Sequence, residues 1–196
     1  MVSRFIPCQH PVSSVVAKKS ICARMERNGW LGQRKIGIGT NSFRSQIHLD
    51  SSGVIAHYTG GGFLFDRSDC ISSNINLCKA FEPLCPDPHN GINVFDAEWI
   101  PQLDKVFIFD LLKYQDDNFD KLTYIQRYEY LNIFMGNFID HPHIQFLSVY
   151  KTAYFCWKEL NLIKKNKDPF CEGLVFRSSQ SIGWNDSAIV CCITSQ

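Results

Sequence analysis

The sequence predicts an α+β domain of antiparallel sheets flanked by helices, and three observations carry that prediction. Residues 93–112, NVFDAEWIPQLDKVFIFDLL, split into two strand-length runs, Asn93–Ile100 and Lys105–Leu112, joined by a turn containing Pro101 and Asp104. Within the second run Val106-Phe107-Ile108-Phe109 is apolar at every position, so neither face suits water and the strand should be central. Elsewhere, short β-type runs punctuated by Gly, Asn and Asp alternate with two longer windows of helical periodicity, after Thr123 and after Ser148.

At 196 residues the chain suits one domain with a substantial core, rich in aromatics: fifteen Phe, seven Tyr and four Trp. A net charge of +1 supplies no global field toward nucleic acid or anionic lipid, so any nucleic-acid surface must be local. No apolar run reaches the ~18 residues of a membrane-spanning helix, so no membrane partner is expected. The nine cysteines are odd in number, contain no C-x-x-C pair and include the adjacent Cys191-Cys192, a pattern of reduced intracellular thiols. Cys70, Cys78, Cys85 and His89 match no standard zinc spacing. Residues 1–25 hold no acidic residue but carry Arg4, Lys18, Lys19 and Arg24 among serines, the composition of an organellar transit segment. We therefore divide the chain into residues 1–14, an arm or transit-like segment of mitochondrial or other organellar type, and one domain over residues 15–196.

Taken in order, the pattern is strand-like from Ile21 and broken at Asn28-Gly29, a strong turn signal. Lys35–Thr40, Ser45–Leu49 and Val54–Tyr58 read as short strands, with a turn over Asp50–Gly53. Gly60-Gly61-Gly62 is followed by no Lys-Ser/Thr and reads as a flexible turn, not a phosphate cradle. A short helix is predicted over Ile75–Ala80, then an irregular Pro-containing excursion. Thr123 and Gln126 have capping-box spacing, Ile125, Tyr128, Leu131 and Met135 form an apolar stripe, and Gly136 is the expected stop. His141-Pro142-His143 reads as a turn before extended Ile144–Leu147. A second helix is expected from Ser148 to about Lys164, with Val149, Ala153, Cys156, Trp157, Leu160 and Ile163 on its inward face. Cys171–Arg177 and Ala188–Ile193 are the closing strands.

The central hairpin contains three carboxylates, Asp96, Glu98 and Asp110. Asp96 and Glu98 lie two apart and share a strand face. Acids on a buried hairpin destabilise it unless each has a partner. They are either paired strand-end acids or the lining of a polar site.

The order Asn28-Gly29-Trp30, FDAEW (95–99), VFIFDLL (106–112) and EGLVFR (172–177) resembles the adenylation domain of ATP-dependent DNA and RNA ligases, related to the mRNA-capping guanylyltransferases. The segment Leu122–Arg127 is similar to that family's L-x-x-R helix. The resemblance implies a ligase-type adenylation fold, here with no C-terminal oligonucleotide-binding barrel. It implies that Glu98 contacts the nucleoside sugar, that Phe109 stacks on the purine, and that Glu172 of the E-G pair holds a divalent metal; flat rings and hard oxygens suit those tasks. Asn28, Gly29 and Arg177 complete the nucleotide-binding remnant it implies.

The departures from the family fall on charge. Counting back from Asn28-Gly29 puts Glu26 at the nucleophilic lysine's position and Leu31 at an arginine's. A glutamate forms no stable phosphoramidate, and at ~4 Å with an effective dielectric near ~20 a charge reversal opposes triphosphate binding by several kcal/mol. The last strand, AIVCCI, carries no cation where the family has two lysines. Lys35 and Arg34 stand at the wrong spacing to substitute. The expectation is a catalytically degenerate ligase-like domain with no catalytic residue and no resident cofactor. It would serve as a structural or interaction component among protein partners, nucleic acid being possible among them. Three alternatives remain: an active ligase or guanylyltransferase using ATP and Mg²⁺ through another lysine, a nucleotide-binding regulatory module using Phe109 and Glu98 without chemistry, or an unrelated α+β domain in which EGLVFR is an ordinary strand.

Overall fold

The computed structural model describes residues 4–8, 11, 13–37, 42–59, 63–66, 75–115, 117–183 and 189–193, with only backbone at 63–66, 75–76 and 189–193. The predicted glycine run 60–62, Cys70 and Ala188 lie outside the described residues.

Two sheets form the scaffold. The first has strand order β1 (Ser13–Val16), β12 (Ile189–Ile193), β11 (Cys171–Ser178), β2 (Trp30–Ile36), β10 (Val149–Tyr150). It is antiparallel except for the β1–β12 pair. Helices α1 (Lys19–Arg27) and α4 (Ala153–Asn166) pack on it and on each other. Cys22 and Met25 of α1 meet Cys156, Leu160 and Ile163 of α4 over Leu174 and Phe176, making a compact apolar layer. Here the sequence expectation is corrected: residues from Ile21 form a helix, because Cys22 and Met25 recur at helical spacing toward the core. The second long helix also starts later than expected. Val149–Tyr150 pairs with Gln33 and Gly32 as β10, and Thr152, accepting from the Phe155 N–H at 3.4 Å, caps a helix that begins at Ala153.

The second sheet runs β5 (Phe63–Asp66), β4 (Gly53–Thr59), β3 (Phe43–Asp50), β6 (Asn93–Ile100), β7 (Lys105–Tyr114), β8 (Asp117–Asn118), with β9 (Ile144–Phe146) parallel to β7. Its central strands are the predicted hairpin. On one face Ile47, Leu49, Phe95, Ala97, Val106 and Ile108 join residues of α2 (Ile75–Ala80) and α3 (Tyr124–Met135) in the main core. Helix α3 begins at the predicted capping box, with Thr123 Oγ1 accepting from the Gln126 N–H. The helix stops at Gly136 as expected, though Gly136 keeps a right-handed conformation (φ −60°) and passes into a 3₁₀ turn.

The opposite face of this sheet is polar. Strand register sets Arg44 opposite Glu98 and Gln46 opposite Asp96, and period-two alternation puts all four side chains on the face turned away from the main core. That face looks toward the first sheet. Buried Gln33 of β2 bridges the two, donating to the Leu147 carbonyl at 3.0 Å and accepting from the Tyr124 hydroxyl at 3.0 Å. Ile100, Phe107 and Leu147, with Ile36 and Phe109 against them, close the apolar end of the space between the sheets.

Candidate functional site

The site is assembled where β2 and β11 approach the polar face of the second sheet. On β11, Cys171 pairs with Ile36 and Gly173 with Lys35, leaving Glu172 as the extra residue of a bulge. Bulges re-aim a side chain out of the regular alternation. Here the bulge brings the Glu172 carboxylate onto the amine of Lys35, and the two form an ion pair that is about one-quarter exposed. After β2 the chain turns at Gly37, whose φ of +97° belongs to glycine and whose N–H donates to the Phe170 carbonyl at 2.8 Å. A Cβ at Gly37 would strike Ser42 and would lie 2.6 Å from Glu98 Oε1. The turn therefore carries the end of β2 directly past Glu98.

Glu98 is half-buried, and that burial raises its carboxyl above the ordinary range, against the opposing pull of a Ser42 hydrogen bond, Arg44 and Lys35. Arg44 donates from Nε to Asp96 Oδ1 at 3.1 Å, with a second contact from Nη2 to Oδ2. Its guanidinium also lies 5.5 Å from the Phe109 ring centroid. Lys35, Glu98, Glu172, Arg44, Asp96 and Phe109 thus form one constellation: an aromatic face, a carboxylate beside it, and an amine held by a second carboxylate.

The sequence-derived residues divide between two places. Glu98, Phe109 and Glu172 come together. Asn28 and Gly29 do not: they are exposed at the far end of β2, where Gly29 accepts from the Ser179 N–H at 3.0 Å. Six residues of extended strand separate that end from Lys35 and Glu172, about 20 Å at ~3.3 Å per residue. Glu26, given the nucleophile's position by counting back from Asn28-Gly29, sits on the exposed side of α1, ahead of that far end of β2. Leu31 is buried in β2. Arg177 also lies at the far end of β11, where it donates to Asp110 Oδ2 at 2.7 Å and sits over the Tyr124 ring. It clamps the interior instead of lining the site.

Counting from Asn28-Gly29 missed Arg44 and set Lys35 aside. A signal existed for both. Arg44 and Gln46 alternate on a strand that pairs with the Asp96/Glu98 strand, and Lys35 is the penultimate residue of its own strand with Gly37 just beyond. The nine positions from Lys35 to Arg44, where the resemblance leads one to expect five, concealed the pair in the linear sequence.

No protein-family model and no curated protein matches this sequence. Solved structures do. Mycobacterial DNA ligase D in complex with ATP superposes with a TM-score of 0.58 at 13% identity, covering 93% of this chain and 59% of that one. The ligase domain of Mycobacterium tuberculosis LigD gives 0.58 at 14% identity over 92% and 57%. The Chlorella virus DNA ligase-adenylate gives 0.50 at 12% over 94% and 68%. The fold is that of a DNA ligase adenylation domain. This chain spans about three fifths of the length of the mycobacterial ligase chains it matches. In this ligase-type frame the candidate constellation occupies the space between the two sheets. Among the described residues no helix is long and apolar enough to cross a membrane, and no three His, Cys, Asp or Glu side chains converge as a metal cluster.

Proposed function

We propose that this chain is a ligase-type nucleotidyltransferase domain that binds a purine nucleotide between its sheets and carries, in Lys35, the amine that can accept the nucleotidyl group. The single observation behind this is the Lys35–Glu172 ion pair beside Glu98 and Phe109. Phe109 offers a ring for the base and Glu98 an acceptor for a ribose hydroxyl. Lys35 reaches the zone where phosphates would follow. On losing a proton its Nζ would form the N–P bond at the α-phosphate, the α–β bridging P–O bond would break, and pyrophosphate would leave. With no three-carboxylate cluster among the described residues, Mg²⁺ would be held by Glu172 together with phosphate oxygens, a donor set that suits this ion. The metal would supply charge neutralisation at the phosphates. Glu172 then has two successive tasks, holding the amine at rest and releasing it when the nucleotide and its cation arrive.

The test is incubation of the full chain with α-labelled ATP or GTP and Mg²⁺, followed by denaturing electrophoresis. A labelled band that is stable to alkali, labile to acid and absent from Lys35→Ala and Lys35→Arg carries the reading. No label under any of these conditions removes the covalent step.

A second reading, the degenerate domain acting as an interaction component of a nucleic-acid assembly, is favoured by a different observation. β12 reads IVCCI and brings no cation to the site. The described side chains there are two cations against three carboxylates, Lys35 and Arg44 against Asp96, Glu98 and Glu172. A site of that charge resists a bare triphosphate. If nucleosides or nucleoside monophosphates shift the melting midpoint while no label transfers, the domain binds nucleotides without chemistry; if neither shift nor label appears, this second reading is the one to keep.

A further inference from the structure

The polar face that carries Arg44, Asp96 and Glu98 continues to Gln46, and Gln46 is already occupied by the chain's own N-terminal segment. The Ile6 N–H donates to Gln46 Oε1 at 2.9 Å, and Gln46 Nε2 donates to the Ile6 carbonyl at 2.5 Å. The same Nε2 lies 3.4 Å from Cys8 Sγ, and Phe5 packs on Tyr58 at 5.7 Å between ring centroids. Tyr58 is the cross-strand neighbour of Gln46 on β4, and Asp96 its neighbour on β6. Gln46 is fully buried. Its amide is satisfied at both ends by a peptide group that no regular strand pairing holds in place.

We propose that residues Arg4–Cys8 are a displaceable strap over the nucleotide face, competing with the nucleotide for the surface around Gln46. Three features fit a competitor better than a permanent wall. The strap lies outside both sheets, so its removal breaks no ladder. Its grip is a handful of contacts: a two-point amide pair, a Phe5 backbone hydrogen bond and a ring pair at Tyr58, and the Cys8 thiol against Gln46 and Asp96. What it leaves behind is a buried donor and acceptor side by side, the pairing pattern that a glutamine amide offers to the edge of a base. With the strap in place Gln46 reads a peptide; with it lifted, Gln46 is free to read a base held against Phe109.

The inference rests on the nucleotide-binding reading, and the experiment separates the two. In the full chain, modification of Cys8 by N-ethylmaleimide is followed by peptide mass mapping with and without ATP or GTP, in EDTA to prevent turnover. Affinity for the same nucleotides is measured for the parent and for Phe5→Ala/Ile6→Pro, which removes the ring contact and the Ile6 N–H donor. The expected result is faster Cys8 modification when nucleotide is added to the parent, and nucleotide binding roughly tenfold tighter in the variant, about what one or two hydrogen bonds give. Equal affinity in both chains with unchanged or slowed Cys8 modification overturns the strap while leaving nucleotide binding intact. Absence of binding to either chain overturns both. Should the variant fail to fold, Cys8 modification in the parent decides alone.

Discussion

Arg127 grips Asp110 at two points, Nε to Oδ1 and Nη2 to Oδ2, both at 2.9 Å, with neither side chain more than 1% exposed. Arg177 adds a third bond to the same carboxylate, and the Tyr124 ring lies beneath both guanidinium groups. The triad ties β7 to α3 and to β11, and so joins the two sheets behind the site. Burial alone would raise the Asp110 carboxyl, but Arg127 and Arg177 outweigh it and hold it below the ordinary range.

Asp110→Asn keeps the shape and removes the charge, leaving two guanidinium groups short of their counter-ion in the interior. The expected loss is about 3–5 kcal/mol, the usual outcome of breaking a buried pair from one side. A urea titration of parent and variant measures it. The linkage has a defined sign. A carboxyl whose folded pKa is depressed contributes stability that is fully present above its unfolded pKa and is lost as pH falls through the folded value.

His48 and His57 give a second, separable acid sensitivity. Burial lowers both to about 4. For His48, Lys113 and His57 add to the effect. Both rings are neutral in the folded chain down to that range, while in the unfolded chain they take up protons below about 6.5. The unfolded state therefore binds more protons between about pH 6.5 and 4, and stability falls as pH drops through that window. Each ring contributes on the order of 2–3 kcal/mol at the lower end. Denaturation midpoints between pH 7 and 4.5 follow this directly, and a flat profile would show that neither ring is buried neutral.

Much of the fold was legible because local and tertiary signals agreed. The apolar run Val106–Phe109 could only be central, and the structure pairs it with β6 on one side and β9 on the other. The alternation that put Asp96 and Glu98 on one face holds for the whole β3–β6 pair. The stretch from Ile21 was misread because the nine-residue helix Lys19–Arg27 presents only two or three inward positions, too few to separate from a short strand. The site was half legible for a related reason. Glu98, Phe109 and Glu172 sit in compact motifs with fixed neighbours, whereas the Lys35–Glu172 pair depends on a bulge that no linear spacing encodes. Asn28-Gly29 is a real turn, with Gly29 at φ +69°, but it connects α1 to β2 at the wrong end of the strand.

The capping box of α3 offers a test of local against tertiary stabilisation. Thr123 accepts from the Gln126 N–H, and Gln126 Oε1 accepts in return from the Thr123 N–H at 2.9 Å. Thr123→Ala leaves an orphan donor in the first turn and is expected to cost about 1 kcal/mol. Because the helix carries Arg127 to Asp110, hydrogen exchange should rise over residues 124–127 ahead of the rest of α3. Uniform exchange along the helix would mean that packing of Tyr128 and Leu131 alone sets its start.

Gly37→Ala should separate damage to the site from damage to the fold. At φ +97° an alanine is strained by about 1–3 kcal/mol, and its Cβ is driven against Ser42 and the Glu98 carboxylate. Ser42 and Glu98 are side chains able to shift, so the sheets need not move, and the melting midpoint should drop by only a few degrees. Displacing Glu98 removes the acceptor proposed for the ribose and moves the end of β2 that carries Lys35. Nucleotide affinity is therefore expected to fall by more than tenfold, a larger free-energy change at the site than a single weakened hydrogen bond would produce. Calorimetric titration with ATP beside a thermal melt makes the comparison. A variant that melts lower but binds nucleotide as the parent does would place the nucleotide away from Glu98 and take the site with it.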